Sequence, residues 1–462
     1  MRFLLKIFGQ NKGLTNIRPA NNLDTWKMRI EIPREVERFG PIMFHDVQKV
    51  YELDAGLKHA RNESKPKEKS TIKRISYESL QQKQEEMCII VPIRNEKIKL
   101  IEGVLSGIPH HCQVIIVSNS DRAPIDRYQI EKDALEHICK FMKKNVIIVH
   151  QKDPKLREAC EKSGYKYLFN SKGEIKNGKA EGMILSTFLA FLSGKKYIGF
   201  IDSDNYFPGA VHEYVQEYCA GFHIAKSDYS MVRIAWHSKP KVVESNIFFA
   251  KRGRVSEHTN KILNGLVSSF TGYGTEIIKT GNAGEHAMTM ELAINLDYSS
   301  GYSIEPYHYI NMLERFGGVL DNPIPPVLKQ GIEIFQIESR NPHLHEVKGE
   351  EHVESMSMEA MEVIYRSPMC SPSLKAEIME DIYHRGLLKE GEKMKETLTY
   401  YPAISNANLK AFYDTIKNEP YGELLEVDLS GYKHVKGGGL QRDLVKGKKI
   451  KLPESTSKLE AK

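Results

Sequence analysis

Tyr197-Ile198-Gly199-Phe200-Ile201-Asp202-Ser203-Asp204 is a short apolar run that ends in two carboxylates two residues apart. A continuous apolar run of this length, rather than an alternating one, predicts a strand buried on both faces, as in a parallel sheet. Ligands of open α/β sheets bind beyond the carboxyl ends of the strands. Asp202 and Asp204 are therefore predicted to stand at a binding edge. Mg²⁺ and Mn²⁺ take a few carboxylate oxygens and leave positions open for phosphate oxygens. The pattern suits a divalent cation held against a diphosphate.

Other readings compete. An EF-hand loop needs Asp or Asn at its fifth position and Gly at its sixth; counted from Asp202, this chain has Tyr206 and Phe207 there. A haloacid-dehalogenase-type phosphatase also places Asp-x-Asp after an apolar strand, but would carry Thr or Val where Tyr206 stands. A pair of surface turn residues is the plainest alternative, because Asp, Ser and Asn are common in turns. The metal–diphosphate reading points to transfer from a nucleotide sugar.

Working outward, further runs repeat the strand signal: Cys88-Ile89-Ile90-Val91-Pro92, Val114-Ile115-Ile116-Val117, Val146-Ile147-Ile148-Val149 and Met231-Val232-Arg233-Ile234. Between them, residues 97–106 place Ile98, Ile101 and Leu105 at helical spacing, and residues 181–193 do so with Met183, Ile184, Phe188 and Phe191. Alternating strand and helix predicts an α/β fold with a mostly parallel central sheet flanked by helices. The expected organisation is an N-terminal extension (1–27), a charged lead-in (28–86), a catalytic domain (87–330), a helical C-terminal region (331–430) and a disordered basic tail (431–462).

The 462 residues suffice for a large core. With 40% hydrophobic and 27% charged residues the composition is that of an ordinary soluble protein. A net charge of +6, without aromatic-interleaved basic stripes, gives no reason to invoke nucleic acid and suits anionic substrates. The six cysteines form no Cys-x-x-Cys, which reads as reduced usage rather than a disulfide frame or zinc site. No apolar run has the length of a membrane span. The N-terminal Met1–Phe8 stretch is too short and interrupted for a secretory signal. A cytoplasmic protein is expected; an organellar transit peptide is the alternative for the first 27 residues.

Several polar loops fall where strands end. Pro92-Ile93-Arg94-Asn95-Glu96 follows the first strand, and reads either as a nucleotide-binding loop or as a connection with Asn95 capping the next helix. Ser118-Asn119-Ser120-Asp121 closes the second strand. Asn177-Gly178-Lys179-Ala180-Glu181-Gly182 offers a close backbone approach and a cation. Arg252-Gly253-Arg254-Val255-Ser256 groups two guanidinium groups with a hydroxyl, either for an anion or as a solvated turn. Thr280-Gly281-Asn282-Ala283-Gly284-Glu285-His286 is a second polar loop. His343 and His345 are the candidates to complete a metal shell begun at Asp204, and spacing does not choose between them.

Taken together, these stretches resemble the mannosyl-3-phosphoglycerate synthase family over roughly residues 28–420. The resemblance is carried by Val91–Glu96, Leu100–Pro109, His150–Pro154, Gly178–Met183, Gly199–Ala210, Gly253–Glu257 and Lys279–Ala287. It implies a GT-A type nucleotide-diphospho-sugar transferase fold, with a helical C-terminal region completing the metal and acceptor site. The implied reaction is retaining transfer of mannose from GDP-mannose to the 2-hydroxyl of 3-phosphoglycerate, in mannosylglycerate biosynthesis.

By the same resemblance, Pro92, Ile93, Arg94, Asn95, Glu96 and Ser118 hold the guanosine side of the donor, with Lys179 and Asp202 nearby. Asp204 binds Mg²⁺, or Mn²⁺ or Co²⁺ in its place, with His345 favoured over His343 as second ligand. Gly253, Arg254, Ser256, Thr280 and Asn282 bind the acceptor. Asp202, Asp204, Glu305 and Lys179 form the catalytic set, Glu305 standing near the transferred sugar. A homodimer is compatible with the resemblance, and no residue specifies it. Glucosyl-3-phosphoglycerate synthase is the alternative within the enzyme class; a haloacid-dehalogenase-type phosphatase and a non-catalytic nucleotide-sugar-binding protein are remoter ones.

Overall fold

The computed structural model describes residues 26–52, 72–236, 241–243, 246–248, 254–320, 324–345, 350–434 and 440–442. Its strands are β1 (Trp26–Glu31), β2 (Val36–Phe39), β3 (Ile42–Glu52), β4 (Ile72–Ser76), β5 (Met87–Ile93), β6 (Gln113–Ser118) and β7 (Val146–His150). β8 (Tyr197–Phe200), β9 (Ser230–Trp236), a hairpin of β10 (Lys241–Val243) and β11 (Asn246–Phe248), β12 (His286–Thr289), β13 (Tyr298–Ser299) and β14 (Ile332–Ser339) follow. The main sheet has the order β4-β1-β3-β14-β9-β12-β8-β5-β6-β7, with β2 on β3.

The four expected strands β5, β6, β7 and β8 form a parallel block, with Cys88 beside Gln113 and Ile198, and Val114 beside Val146. The apolar run of β5 is continuous because both faces are covered. Cys88 and Ile90 enter one core while Met87, Ile89 and Val91 enter the other. Successive side chains of a strand point to opposite faces. On one face pack the helices Ile98–Gly107 and Pro208–Ile224; on the other lies the helix Lys179–Leu192.

Beyond β8 the sheet is mixed. β12 runs antiparallel to both β8 and β9, whereas β9, β14 and β3 are parallel to one another. β9 therefore points the same way as β8, and the carboxyl ends of β5, β6, β8, β9 and β14 meet at one edge. The amino end of β12 lies at that same edge, which brings the preceding Thr280–Glu285 loop there.

Three expectations meet a different local structure. The helix expected at 181–193 with one apolar face begins at Lys179, and every residue from Ala180 to Leu192 is buried. The C-terminal region closes over its outer side: Phe188 stacks on Phe412 at 4.5 Å, and the Tyr401 hydroxyl donates to Glu181 at 2.5 Å. The region expected to be helical from 331 opens with β14, which lies at the heart of the sheet between β3 and β9. The lead-in likewise supplies β1 to β4. Within the expected disordered tail, Tyr432–His434 pairs with Leu440–Arg442, and the Tyr432 ring packs edge-on against Phe191 at 5.0 Å. A large aromatic with a buried partner outweighs the polar composition around it. Residues 1–25 and 443–462 lie outside the described residues.

Candidate active site

The strand order reverses direction between β5 and β8, and a cavity of about 280 Å³ opens beyond their carboxyl ends. Such a switch point is where α/β sheets leave a crevice for ligands. The cavity is lined by Pro92, Ile93, Arg94, Glu96, Lys179, Asp202, Asp204, Ser256, Asn282, Glu305 and both His343 and His345. These residues come from strand ends, loops and first helical turns spread over more than 250 positions of chain.

At its floor, the Lys179 ammonium sits 2.7 Å from Asp202 Oδ1 and 3.0 Å from Glu305 Oε1. Lys179 is the first residue of its buried helix, so its position is fixed by the core behind it. Glu305 lies in the first turn of the helix Ile304–Phe316, where a carboxylate is favoured by the helix dipole. Burial alone would lower the lysine pKa, but the charges of Asp202 and Glu305 outweigh it and hold the ammonium well above the usual lysine range. Lys179 is therefore held as an ammonium between the two carboxylates.

Gly284 touches all three groups. A Cβ there would lie 2.6 Å from Asp202 Oδ2 and 3.3 Å from both Glu305 Oε1 and Lys179 Nζ. Gly284→Ala is expected to fold, with a modest loss of melting temperature from the disturbed Lys179–Asp202 pair, because the displaced atoms are side-chain ends. It should push Asp202 off Lys179 and lower kcat by at least about tenfold, since displacement of a positioned group by 1 Å costs up to a hundredfold. Wild-type kcat in a folded variant would contradict this geometry. The loop carrying Gly284 is held from below by fully buried Arg233, which donates to the carbonyls of Thr280 (2.9 Å) and Gly281 (3.1 Å). His286 anchors its far end with Nδ1 3.0 Å from the Ala283 and Gly284 carbonyls. Burial, with Arg233 nearby, pushes the His286 pKa well down and keeps the ring neutral.

Of the expected donor residues, Pro92, Ile93, Arg94 and Glu96 line the cavity. Asn95 does not: it adopts a left-handed conformation (φ 59°) and bridges two loops. Its N–H donates to Ser120 Oγ (2.7 Å), and its amide exchanges hydrogen bonds with Asp121 at 3.0 Å. The N-cap of the following helix is Lys97, so the capping alternative for Asn95 does not hold. Ser118 is fully buried and its hydroxyl donates to Glu131 at 2.9 Å, leaving Asn119 as the residue of that loop on the cavity wall.

The two histidines differ in setting. His343 is buried against Trp236 (ring centroids 4.7 Å), with Nδ1 3.3 Å from the Tyr214 hydroxyl and 3.7 Å from Glu285. His345 is half-buried on the cavity wall. The Tyr206 N–H donates to the Leu344 carbonyl at 2.9 Å, which ties the Asp202–Asp204 loop to the histidine loop. Among the described residues no three His, Cys, Asp or Glu side chains converge as a ligand set for a metal ion. Asp204 and His345 both line the cavity and suit a cation that takes two protein ligands and completes its shell with diphosphate oxygens.

The expected acceptor residues fall at the boundary with a second cavity of about 310 Å³. Ser256 and Asn282 line both cavities and Thr280 lines the second, its hydroxyl 2.6 Å from Tyr309 OH and donating to Gln336 at 2.9 Å. Gly253 lies outside the described residues; Arg254 opens the helix Arg254–Thr271. Asn282 is 5% exposed, yet neither its amide oxygen nor its amide nitrogen has a hydrogen-bond partner. A buried amide left unsatisfied is costly unless a ligand completes it.

Sequence reasoning missed other wall residues. Glu285 and Gly284 stood in a quoted loop without a role. Trp236, one of only two tryptophans, follows an expected strand, and that rarity was an available signal. Tyr302 and His352 were not legible: the helix Glu350–Arg366 covers the cavity only in three dimensions, fixed by Glu359 accepting the Tyr302 N–H at 2.5 Å.

Comparison with known proteins covers most of the chain. The family model described as mannosyl-3-phosphoglycerate synthase matches residues 32–416. The mannosyl-3-phosphoglycerate synthase of Pyrococcus furiosus is 44% identical over 392 residues, which is 85% of this chain and 98% of that protein. That of Aeropyrum pernix is 34% identical over 376 residues, 81% of this chain and 94% of that protein. Among solved structures, mannosyl-3-phosphoglycerate synthase from Rubrobacter xylanophilus aligns with a TM-score of 0.42 and 16% identity, covering 70% of this chain and 91% of that one. Glucosyl-3-phosphoglycerate synthase from Mycobacterium tuberculosis, in complex with Mn²⁺, UDP-glucose and phosphoglyceric acid, aligns with a TM-score of 0.43 and 14% identity, covering 70% and 94%.

Proposed function

The chain belongs to the mannosyl-3-phosphoglycerate synthase family, and on that premise we propose that it transfers mannose from GDP-mannose to the 2-hydroxyl of 3-phosphoglycerate with retention of configuration. The observation that carries the reading is the single cavity that gathers the Pro92–Glu96 loop, Asp202, Asp204, His345, Glu305, Ser256 and Asn282. The segments assigned here to donor, metal and acceptor, far apart in sequence, line this one cavity.

Roles follow from charge. The Arg94–Glu96 loop and Asn119 hold the nucleoside end of the donor. Asp204 and His345 hold a divalent cation, Mg²⁺ or Mn²⁺, whose contribution when bound is to neutralise charge on the diphosphate. His345 is preferred to His343 because the latter is buried against Trp236 and Tyr214. Lys179, a fixed cation, stabilises the negative charge that grows on the leaving diphosphate. Asp202 and Glu305 orient the sugar hydroxyls and balance the positive charge that builds on the ring. Glu305 is engaged with Lys179 at 3.0 Å, which supports an orienting role over a covalent one. The acceptor hydroxyl then attacks from the face that the diphosphate leaves, and a departing phosphate oxygen takes its proton.

Asn282 and Ser256 bind the acceptor anion. Asn282→Ala is expected to raise the KM for 3-phosphoglycerate about tenfold, as loss of a buried hydrogen-bonding group does, with the GDP-mannose KM unchanged. Equal change in both constants would remove Asn282 from the acceptor site.

The overall reading is tested by supplying the full chain with GDP-mannose, GDP-glucose or UDP-glucose, 3-phosphoglycerate, and Mg²⁺ or EDTA, with the product followed by mass and NMR. Metal-dependent α-mannosyl-3-phosphoglycerate, formed fastest from GDP-mannose, is the expected product. A glucosyl product would keep the site and change the donor. Tight GDP binding without transfer would overturn the reading.

A further inference from the structure

Glu213 is fully buried on the helix Pro208–Ile224, the helix that directly follows the Asp202–Asp204 loop. Its carboxylate accepts three hydrogen bonds from a segment more than a hundred residues away. The Arg340 N–H donates to Oε1 at 2.6 Å; the Asn341 N–H and side-chain amide both donate to Oε2 at 2.7 Å. That segment leaves the carboxyl end of β14 and runs straight into His343-Leu344-His345. Two contacts downstream come from the same part of the chain: Tyr214, the next residue of the helix, meets His343 Nδ1 at 3.3 Å, and Tyr206 N–H holds the Leu344 carbonyl at 2.9 Å. Glu217, one turn further on, is also fully buried; burial first, and then the charge of Glu213, push its carboxyl well above the usual range. Three donors converge on the Glu213 carboxyl, the arrangement a carboxylate accepts most strongly.

We infer that Glu213 is a positioning residue for the metal site: its carboxylate clamps residues 340–341 and thereby delivers His345 to Asp204. The inference rests on the reading of His345 as a metal ligand. A carboxylate that fixes a ligand-bearing loop acts on metal affinity without touching the metal, and loss of such outer partners commonly costs ten- to a hundredfold. The device also explains why two loops more than a hundred residues apart meet: the helix that begins where one loop ends carries the acceptor for the other.

The test is the affinity for Mn²⁺, measured by electron paramagnetic resonance or calorimetry on the full chain with GDP present, together with the affinity for GDP in EDTA. Glu213→Gln places an amide NH₂ against a backbone N–H and breaks at least one clamp bond. It is expected to weaken Mn²⁺ about tenfold while GDP binding in EDTA stays within twofold of the wild type. Asn341→Ala leaves Glu213 in place, removes one of the three bonds, and should weaken Mn²⁺ by a smaller factor, about threefold. It carries the test if Glu213→Gln does not fold. His345→Ala is the reference and should weaken Mn²⁺ at least as much as Glu213→Gln. Wild-type Mn²⁺ affinity in Glu213→Gln and Asn341→Ala, beside a weakened His345→Ala, would overturn the clamp and leave the metal reading standing. Equal losses of Mn²⁺ and metal-free GDP affinity would reduce Glu213 to general structural support and likewise overturn it. Unchanged Mn²⁺ affinity in His345→Ala would remove the ligand itself, and the clamp's function with it.

Discussion

Asp204→Ala is expected to abolish metal-dependent turnover, lowering kcat by about a thousandfold, the upper range for loss of one electrostatic element of an active site. Asp204 is 9% exposed and lines the cavity that His345 also lines. Its neighbour Asp202 is already committed to Lys179 at 2.7 Å, so it is not free to substitute. The loss is therefore expected to be deep and not rescued by raising the metal concentration into the millimolar range. GDP binding in EDTA should persist, because the Pro92–Glu96 loop is untouched. The check is a paired measurement of kcat and of metal-free GDP affinity. Turnover near the wild-type value would remove Asp204 from the metal site.

Lys179→Met should be nearly as severe, for a different reason. The ammonium is within 3.0 Å of both carboxylates. Its removal leaves Asp202 and buried Glu305 facing each other with no cation. Two carboxylates in one site cannot both ionise cheaply, so one takes up a proton and its pKa rises. Two consequences are measurable. Stability should fall by about 3 kcal/mol, the lower end of the cost of breaking a buried ion pair. Residual kcat, about a hundredfold below wild type, should acquire a new dependence on pH. It should rise as pH increases through the elevated carboxyl pKa, since both groups act as anions. Lys179→Arg, which keeps the charge in a different shape, should restore stability more than rate. A flat pH profile in Lys179→Met would show that the two carboxylates do not share the ammonium.

Much of the site was legible because short segments carry their own chemistry. A strand run that ends in Asp-Ser-Asp identifies a sheet edge, and Asp202 and Asp204 do line the cavity there; the continuous apolar character of β5, β6 and β7 identifies strands covered on both faces. Loops that follow such strands fall on one edge whatever their order. Asn95 and Ser118 show the limit. Their residue types suit ligand binding and loop bridging equally, and only the presence of Ser120, Asp121 and Glu131 within hydrogen-bond reach decides for bridging. Gly284 shows the same limit from the other side, since a glycine in a polar loop declares flexibility but not that three charged groups crowd its Cα.

The strand block, the sheet edge, the paired carboxylates and the resemblance that names the family are legible in the chain alone, because each is written in contiguous residues. Folding in three dimensions is what inserts β12 antiparallel, turning the Thr280–Glu285 loop to the same edge, and what carries β14 into the centre of the sheet, so that its trailing histidines line the same cavity as Asp204. It alone also joined Lys179, Asp202 and Glu305, spread over more than a hundred positions, into one charge cluster. Those are pairings between distant segments, set by which buried faces and hydrogen-bond partners are satisfied together, and no local pattern encodes them.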